Sequence, residues 1–409
     1  MWSEDAEARW RELSDEIITR MAKGRVPHPR ATLREIEAAL DERLARVRAW
    51  MLPWRLMALR EYARVHTRPE GQAQPDGPRG TAYVNPREAY SGVPILAQPT
   101  WGHQIAAYFY LGGISSGAFV LGALAGLAGS ERRRRLSRTA QYVSFAAMLP
   151  CAPLLIADLG RPARFHHMLR IFKPSSPMNL GAWTLTAHGA IATVTAARAL
   201  AGEDRLPLDV CNTLLGSLVR LLPERPLAAA GLPSALTLGG YSGVLLGTTS
   251  VPVWATSPLL GALFMASSLS TGAAATSLAA TVSGRSKPGD EETLGTLSLL
   301  LGAGEMATLA GYVATSGTAT RPLFTDKNGL LMAGAAASFV ASTALEAAGL
   351  VTGSKHLRHA AAAATLVGGA LLRWGIVQAG HAAARDREGQ LEAMKPTSRA
   401  PGWGPSRRP

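Results

Sequence analysis

PLAAAGLPSALTLGGYSGVLLGTTSVPVWATSPLLGALFMASSLSTGAAATSLAATVSG, residues 226–284, runs for 59 residues without one charged side chain. About 20 apolar residues suffice to cross the ~30 Å hydrocarbon core of a bilayer, so this run is too long for one span. Its middle, TTSVPVWATSP at 248–258, holds Pro252 and Pro258 and cannot continue a helix. Two membrane helices separated by a short break are therefore expected here. The same pattern extends outward. Residues 104–129, 139–157 and 179–197 are also free of charge, and 293–317, 328–352 and 359–381 each carry one ionisable acid or Arg in an otherwise apolar run. Backbone polar groups left unpaired in lipid cost several kcal/mol each, so such runs must be helical. The expected fold is an all-α integral membrane bundle of eight transmembrane helices.

Composition agrees with this pattern. Of 409 residues, 47% are hydrophobic and 17% charged, below the ~25% charge of ordinary globular chains. The net charge of +13 divides unevenly. Residues 1–100 hold 16 Lys/Arg against 14 Asp/Glu, and residues 101–409 hold 26 against 15. A large soluble enzyme is excluded, and the basic excess gives no reason to expect a nucleic-acid partner. With the side carrying both ends of the bundle labelled A, thirteen Lys/Arg fall in side-B loops, including Arg132–Arg135 and Arg285, and six fall in side-A loops. The positive-inside rule then puts side B in the cytoplasm.

Residues 1–70 read as a soluble helical extension. Thr32 and Glu35 have capping-box spacing, and Leu33, Ile36, Leu40, Leu44, Val47 and Met51 form an apolar stripe. Residues 71–100 read as a Pro/Gly-rich linker, 101–382 as the membrane domain and 383–409 as a disordered C-terminal tail. No charged n-region followed by an apolar h-region precedes the spans, so a cleavable signal is not expected. The two cysteines, Cys151 and Cys211, are sixty residues apart and are expected to be inert apolar residues. No CxxC or Cys/His ladder is present, so no iron–sulfur cluster or structural metal is expected in this chain. The span histidines, His103, His188, His359 and His381, lack the paired spacing of haem-bearing bundles, so no haem is expected either.

Ionisable groups inside spans are costly and mark functional candidates. Here they are Glu305, Glu346 and Arg373, with Asp158 ending the second span and His188 inside the third. Two readings stand side by side: a charge pairing with Arg373 that locks the bundle, or a proton path or quinone-linked site. The break ADLGRPARFHHMLRIFKPSSPMNLGAW, 157–183, is expected to hold a short amphipathic helix opened by Pro162. Such an element lies in the interface plane, where Arg and His can meet lipid or quinone headgroups; a plain connector with a structural Asp158–Arg161 pair is the alternative.

Several of these segments together resemble the NrfD-like polysulfide-reductase membrane subunits. They are WGHQIAAYFYLGGISSGAF (101–119), DLGRPARFHHML (158–169), FKPSSPMNLGAW (172–183), YSGVLLGTTSVPVW (241–254), SPLLGALFMASSLSTGAA (257–274) and LLRWGIVQAG (371–380). The resemblance covers residues 90–382 and leaves out 1–70, which reads as a lineage-specific extension or an overlong gene start. It implies a multi-pass subunit of the bacterial cell membrane that binds menaquinone or ubiquinone. It further implies an iron–sulfur electron-transfer partner on side A and often a molybdopterin catalytic subunit. The positions matching the family's quinone pocket are His103, Asp158 and Tyr241, with Gln104 and Arg161 as second choices. Glu305, Glu346 and Arg373 are candidates for a proton path. Such a chain is part of an oxidoreductase complex rather than an enzyme alone. Two other classes remain: a secondary transporter using the intramembrane Glu/Arg groups, and a membrane anchor without redox chemistry. The halves 101–225 and 226–381 show no alignable repeat, which counts against the transporter.

Overall fold

The computed structural model describes residue 96 and residues 98–159, 161–203, 214–285 and 288–386. The expected extension, the linker but for residues 96 and 98–100, the tail beyond residue 386, and Cys211 lie outside the described residues. Those described form eleven α-helices and two 3-10 helices, with no strand among them. The helices are α1 (His103–Leu127), α2 (Glu131–Met148), α3 (Cys151–Ala157), α4 (Pro177–Ala201), α5 (Leu214–Leu221) and α6 (Glu224–Gly247). They continue with α7 (Pro252–Ala255), α8 (Leu260–Val282), α9 (Pro288–Ser316), α10 (Asp326–Thr352) and α11 (Lys355–Ala383). The 3-10 segments are Pro162–Leu169 and Gly317–Leu323.

A helix occupies each of the eight expected positions, and seven meet both the length and the apolarity of a membrane span. The eighth, α4, is 25 residues and so about 37 Å long, but Asn179, its threonines and His188 make it less apolar. The second expected span is not one helix. Pro150 and Pro153 break it into α2 and α3, because a proline lacks the N–H that would continue the ladder. Pro162 opens a short helix as expected, and that helix, Pro162–Leu169, is 3-10. The charge-free run at 226–284 folds as expected into two long helices, α6 and α8, and its break holds the short α7. Pro233 lies inside α6 without ending it.

The chain winds up and down between end A, where α1 begins, and end B. α1 is the central helix, packed against α2, α3, α6, α8 and α11, while α10 and α11 form a close antiparallel pair. Small residues permit this. A Cβ on Gly117 would strike the backbone carbonyl of Ser268, and one on Gly272 would strike the backbone of Gly117 and Ala118. The α1 and α8 backbones thus touch directly, in the small-residue packing that holds helices together in lipid. Toward end A this seam gives way to large side chains that are fully or almost fully buried: Phe109, Phe264, Leu263, Leu372, Ile376 and Trp254. At end B, Glu224 lies 3.4 Å from Arg138 and 3.5 Å from Arg198, joining the ends of α2, α4 and α6, and Arg285 pairs with Glu203 at 2.6 Å.

Candidate functional site at end A of the bundle

Polar groups converge where α1 begins. Gly102 is the N-cap and offers no side chain to the first turn. Asp158, at the end of α3, supplies a carboxylate instead: its Oδ1 accepts from the Gly102 N–H at 3.4 Å. A negative charge is favoured there by the α1 dipole. The Gln104 amide oxygen crowds the same spot, 2.5 Å from where a Gly102 Cβ would stand, with Asp158 Oδ1 3.7 Å from it. Gln104 and Tyr108 share one stripe of α1, and Tyr108 continues it inward to Cys151 of α3 and Tyr241 of α6. Cys151 is buried and free, its thiol donating to the Ala147 carbonyl at 3.3 Å.

His103 turns the other way, toward α11. Its ring is exposed, and its Nδ1 accepts from the indole N–H of Trp374 at 3.1 Å. An indole only donates, so the neutral imidazole carries its proton on Nε2, leaving a donor at the exposed edge. Next to it, His381 donates from Nε2 to the Trp101 carbonyl at 2.7 Å. The Trp101 ring stacks on Trp254 with centroids 5.5 Å apart, and Trp254 donates to the Ile376 carbonyl at 2.8 Å. An aromatic wall therefore lines the α11 side of the α1 terminus.

The loop between α3 and α4 lies over this end. Asn179 holds it: its amide donates to the Met168 and Ile171 carbonyls at 2.7 and 3.0 Å, and its oxygen accepts from the Lys173 N–H at 2.7 Å. Arg161, Arg164, His166, His167, Arg170 and Lys173 are exposed on this loop, as are Phe165, Ile171 and Phe172. Exposed apolar and basic side chains thus share this loop.

The structure brings Gln104 and Asp158 together at Gly102, with His103 on the adjoining face of the same helix end. Tyr241 is deeper and almost fully buried, and its hydroxyl donates to the Pro177 carbonyl at the start of α4, where Gly181 leaves room for its ring. Arg161 sits at the rim as N-cap of the first 3-10 helix. Trp101, Trp254, Trp374 and Asn179 were not singled out from the sequence, and His381 was weighed only as a haem ligand. The only signal for the first four was their presence in the quoted segments 101–119, 172–183, 241–254 and 371–380, since pairing across 122 or 280 residues has no local pattern.

Glu305, Glu346 and Arg373 belong elsewhere. Arg373 lies ten residues, about 15 Å, along α11 from its A end, with its guanidinium beside Gly113 of α1. It donates to the hydroxyls of Ser267 and Ser268 at 2.7 and 3.0 Å and to the carbonyls of Phe264 and Gly369 at 3.3 and 3.4 Å. Its guanidinium also covers the Phe264 ring, 5.3 Å from the centroid. Glu305 is 0% exposed, with Ser267, Ser270 and Arg373 as polar neighbours, and neither carboxyl oxygen completes a hydrogen bond of normal geometry. Glu346 is nearer end B, beside Gly295 and Arg358. His188, in α4, forms a separate network with Ser115 at 3.1 Å and Ser234 at 3.4 Å. Among the described residues, no three His, Cys, Asp or Glu side chains converge as a metal site.

Seven helices fit to cross a membrane, and an eighth of spanning length, define a multi-pass membrane protein whose polar groups gather at one end and along one internal seam. The family model "Polysulphide reductase, NrfD" matches residues 95–384, and the chain belongs to that family. Among curated proteins it is similar to a selenate reductase subunit of Mesobacillus selenatarsenatis, 23% identical over 47% of this chain and 50% of that protein. It is also similar to protein NrfD of Escherichia coli, 30% identical over 47% of this chain and 63% of that protein. A NrfD homolog of Haemophilus influenzae is 29% identical over the same shares. The chain thus spans between half and just under two thirds of the length of these relatives. It is a multi-pass protein of the bacterial cell membrane.

Proposed function

We propose that this chain is the quinone-binding membrane subunit of a multi-subunit oxidoreductase, exchanging electrons with an iron–sulfur partner docked at end A. In such an assembly a molybdopterin-bearing catalytic subunit would lie beyond that partner. The observation that carries the proposal is the convergence of His103, Gln104 and Asp158 at the start of α1, beside the stacked Trp101 and Trp254. Membership in the polysulphide reductase family and a relative named as part of a selenate reductase support the redox setting.

These residues suit a flat ring with two carbonyls. A bound menaquinone or ubiquinone would supply a carrier of two electrons and two protons. With Nδ1 held by Trp374, His103 presents Nε2–H as a donor to one carbonyl. The Gln104 amide can donate to the same ring from the neighbouring face. Asp158, whose Oδ1 accepts from the Gly102 N–H at the start of α1, is placed to hold and release a proton at its carboxylate. The buried Tyr241 fixes the inner wall by binding the first turn of α4, and Arg161 adds positive charge at the rim. A quinone here needs no cluster in this chain, because the partner supplies the electrons.

The test is quinone-linked electron transfer by the reconstituted complex carrying His103→Ala, Asp158→Asn and Tyr241→Phe together. Activity should fall at least tenfold with assembly intact. Activity equal to that of the unmodified complex would remove the site assignment.

A further inference from the structure

Where α2, α4, α6 and α8 meet end B, three arginines crowd two glutamates. Arg138 and Tyr142 stand one turn apart on α2, Arg198 is in the last turn of α4, and Arg285 follows α8. The turn at Gly284, φ 64°, folds the chain back, and the Arg285 N–H donates to the Ala280 carbonyl at 2.9 Å. The Arg285 guanidinium covers the Tyr142 ring, 5.2 Å from the centroid, and its Nη2 lies 2.6 Å from Glu203 Oε2. Arg138 and Arg198 share the single Oε1 of Glu224, at 3.4 and 3.5 Å. Both guanidinium groups crowd Gly202, where a Cβ would stand 2.9 Å from Arg138 Nη2 and 3.3 Å from Arg198 Nη1.

We propose that this cluster binds the phosphate of an anionic phospholipid from the leaflet at end B, held by Arg138 and Arg198 with Tyr142 and Arg285 behind them. Three observations support it. First, donors outnumber acceptors. Charge-assisted N–H···O bonds run about 2.7–2.9 Å, so Glu224 holds neither of its arginines closely. Arg138 Nε, Arg285 Nη1 and the Tyr142 hydroxyl are enclosed and complete no hydrogen bond of normal geometry among the described residues. Buried polar groups are nearly always paired, and what this cluster lacks is an acceptor. The side chains of Arg138 and Arg198 are still 22% and 21% exposed, so the cluster is open to a headgroup from outside. Second, its three guanidinium groups face two carboxylates among the described residues, an excess of one positive charge that a phosphodiester would balance. Third, the surroundings are amphiphilic. Arg198 Nε donates at 2.7 Å to the carbonyl of Leu222, the residue after α5, and Leu218 and Leu221 of that short helix are exposed. Leu127 at the end of α1 and Val282 at the end of α8 are exposed at the same end. A free phosphate would leave these side chains uncovered, whereas acyl chains would pack on them. Basic pockets between membrane helices hold lipid headgroups in this way. The proposal does not depend on quinone binding at end A.

The test uses the full chain, purified in detergent and freed of its lipid. It would be titrated with phosphatidylglycerol and, separately, with phosphatidylcholine of the same acyl chains, and bound lipid would be counted by native mass spectrometry. Phosphatidylglycerol should bind at least tenfold more tightly. Arg138→Gln with Arg198→Gln should weaken its binding at least tenfold and leave phosphatidylcholine unchanged. Arg133→Gln with Arg135→Gln, at the exposed start of α2, should change it less than twofold. If the first pair is not recovered in the membrane, Arg198→Gln alone should weaken binding at least threefold, since Glu224 is 37% exposed and keeps water as a partner. Excess inorganic phosphate should not displace the lipid. Equal binding of the two lipids, parental affinity in the Arg138 and Arg198 variants, an equal loss in the Arg133 and Arg135 pair, or displacement by inorganic phosphate would overturn the proposal.

Discussion

Replacing Arg373 with Met keeps an unbranched apolar stem and removes the guanidinium with its charge and all its donors. Four hydrogen bonds disappear, to Ser267, Ser268, Phe264 and Gly369. Three of them cross to α8, and at about 0.6 kcal/mol for each interhelical bond in a membrane their loss sets a floor of about 1.8 kcal/mol. Glu305 then also loses the nearby positive charge of Arg373, but the two make no direct bond, so this adds less than the ~3–5 kcal/mol of breaking a buried ion pair from one side. Arg373→Met should therefore destabilise the bundle by more than about 1.8 kcal/mol. Glu305→Gln should cost about 1 kcal/mol, because Arg373 keeps its four protein acceptors and neither Glu305 oxygen has a protein bond to lose. In the double variant no unpaired carboxylate remains, so its loss should fall short of the two single losses together by about 1–2 kcal/mol. Equilibrium unfolding in mixed micelles of rising SDS content, followed by tryptophan fluorescence, reads all four corners of this cycle. Single effects that add within about 0.5 kcal/mol would refute the coupling, and an Arg373→Met variant as stable as the parent would refute the burial argument itself.

Gly272→Leu should prevent α8 from seating on α1, since even a Cβ there strikes the Gly117 backbone; the loss should exceed the ~1–3 kcal/mol of ordinary overpacking and appear as failed recovery of the folded protein from detergent. Trp254→Phe keeps a ring against Trp101 but loses the indole bond to the Ile376 carbonyl, which retains its helical bond, so thermal unfolding should report a loss of about 0.5–1.5 kcal/mol. Asn179→Ala should free the loop at 168–176 with little global destabilisation, raising protease cleavage there while the midpoint of bundle unfolding stays within a few degrees of the parent.

The eight helical positions were legible because membrane burial writes itself into local composition: a run such as 226–284 cannot be hidden in a soluble fold. The break at 248–258 was equally plain, since Pro252 and Pro258 are local facts. The division of α2 from α3 was also local, at Pro150 and Pro153, but the charge-free run across it concealed the kink. The site was legible only in part. Asp158 stood out as a charge at a helix end, and His103 as a polar group in the first turn of a span, yet their neighbours came from afar. The bond from Trp374 to His103 and the stack of Trp101 on Trp254 join residues far apart in sequence, and aromatic residues in apolar helices look the same whether they pack or bind. The sequence left open whether Glu305 and Arg373 lock the bundle or carry protons. The structure brings them near without a direct bond and lines a cleft with Glu305, a distinction no spacing rule contains.

The central claim is that end A of the bundle holds a quinone, and photolabelling tests it most directly. The purified complex would be illuminated with an azido-quinone, with and without excess unlabelled quinone, and the modified peptides mapped by mass spectrometry. The expected result is competed labelling within residues 101–108, at 158–161 or around Trp374, reduced at least tenfold by His103→Ala with Asp158→Asn. Competed labelling confined to the outer faces of α9 and α10, or labelling at end A that excess quinone does not displace, would contradict it.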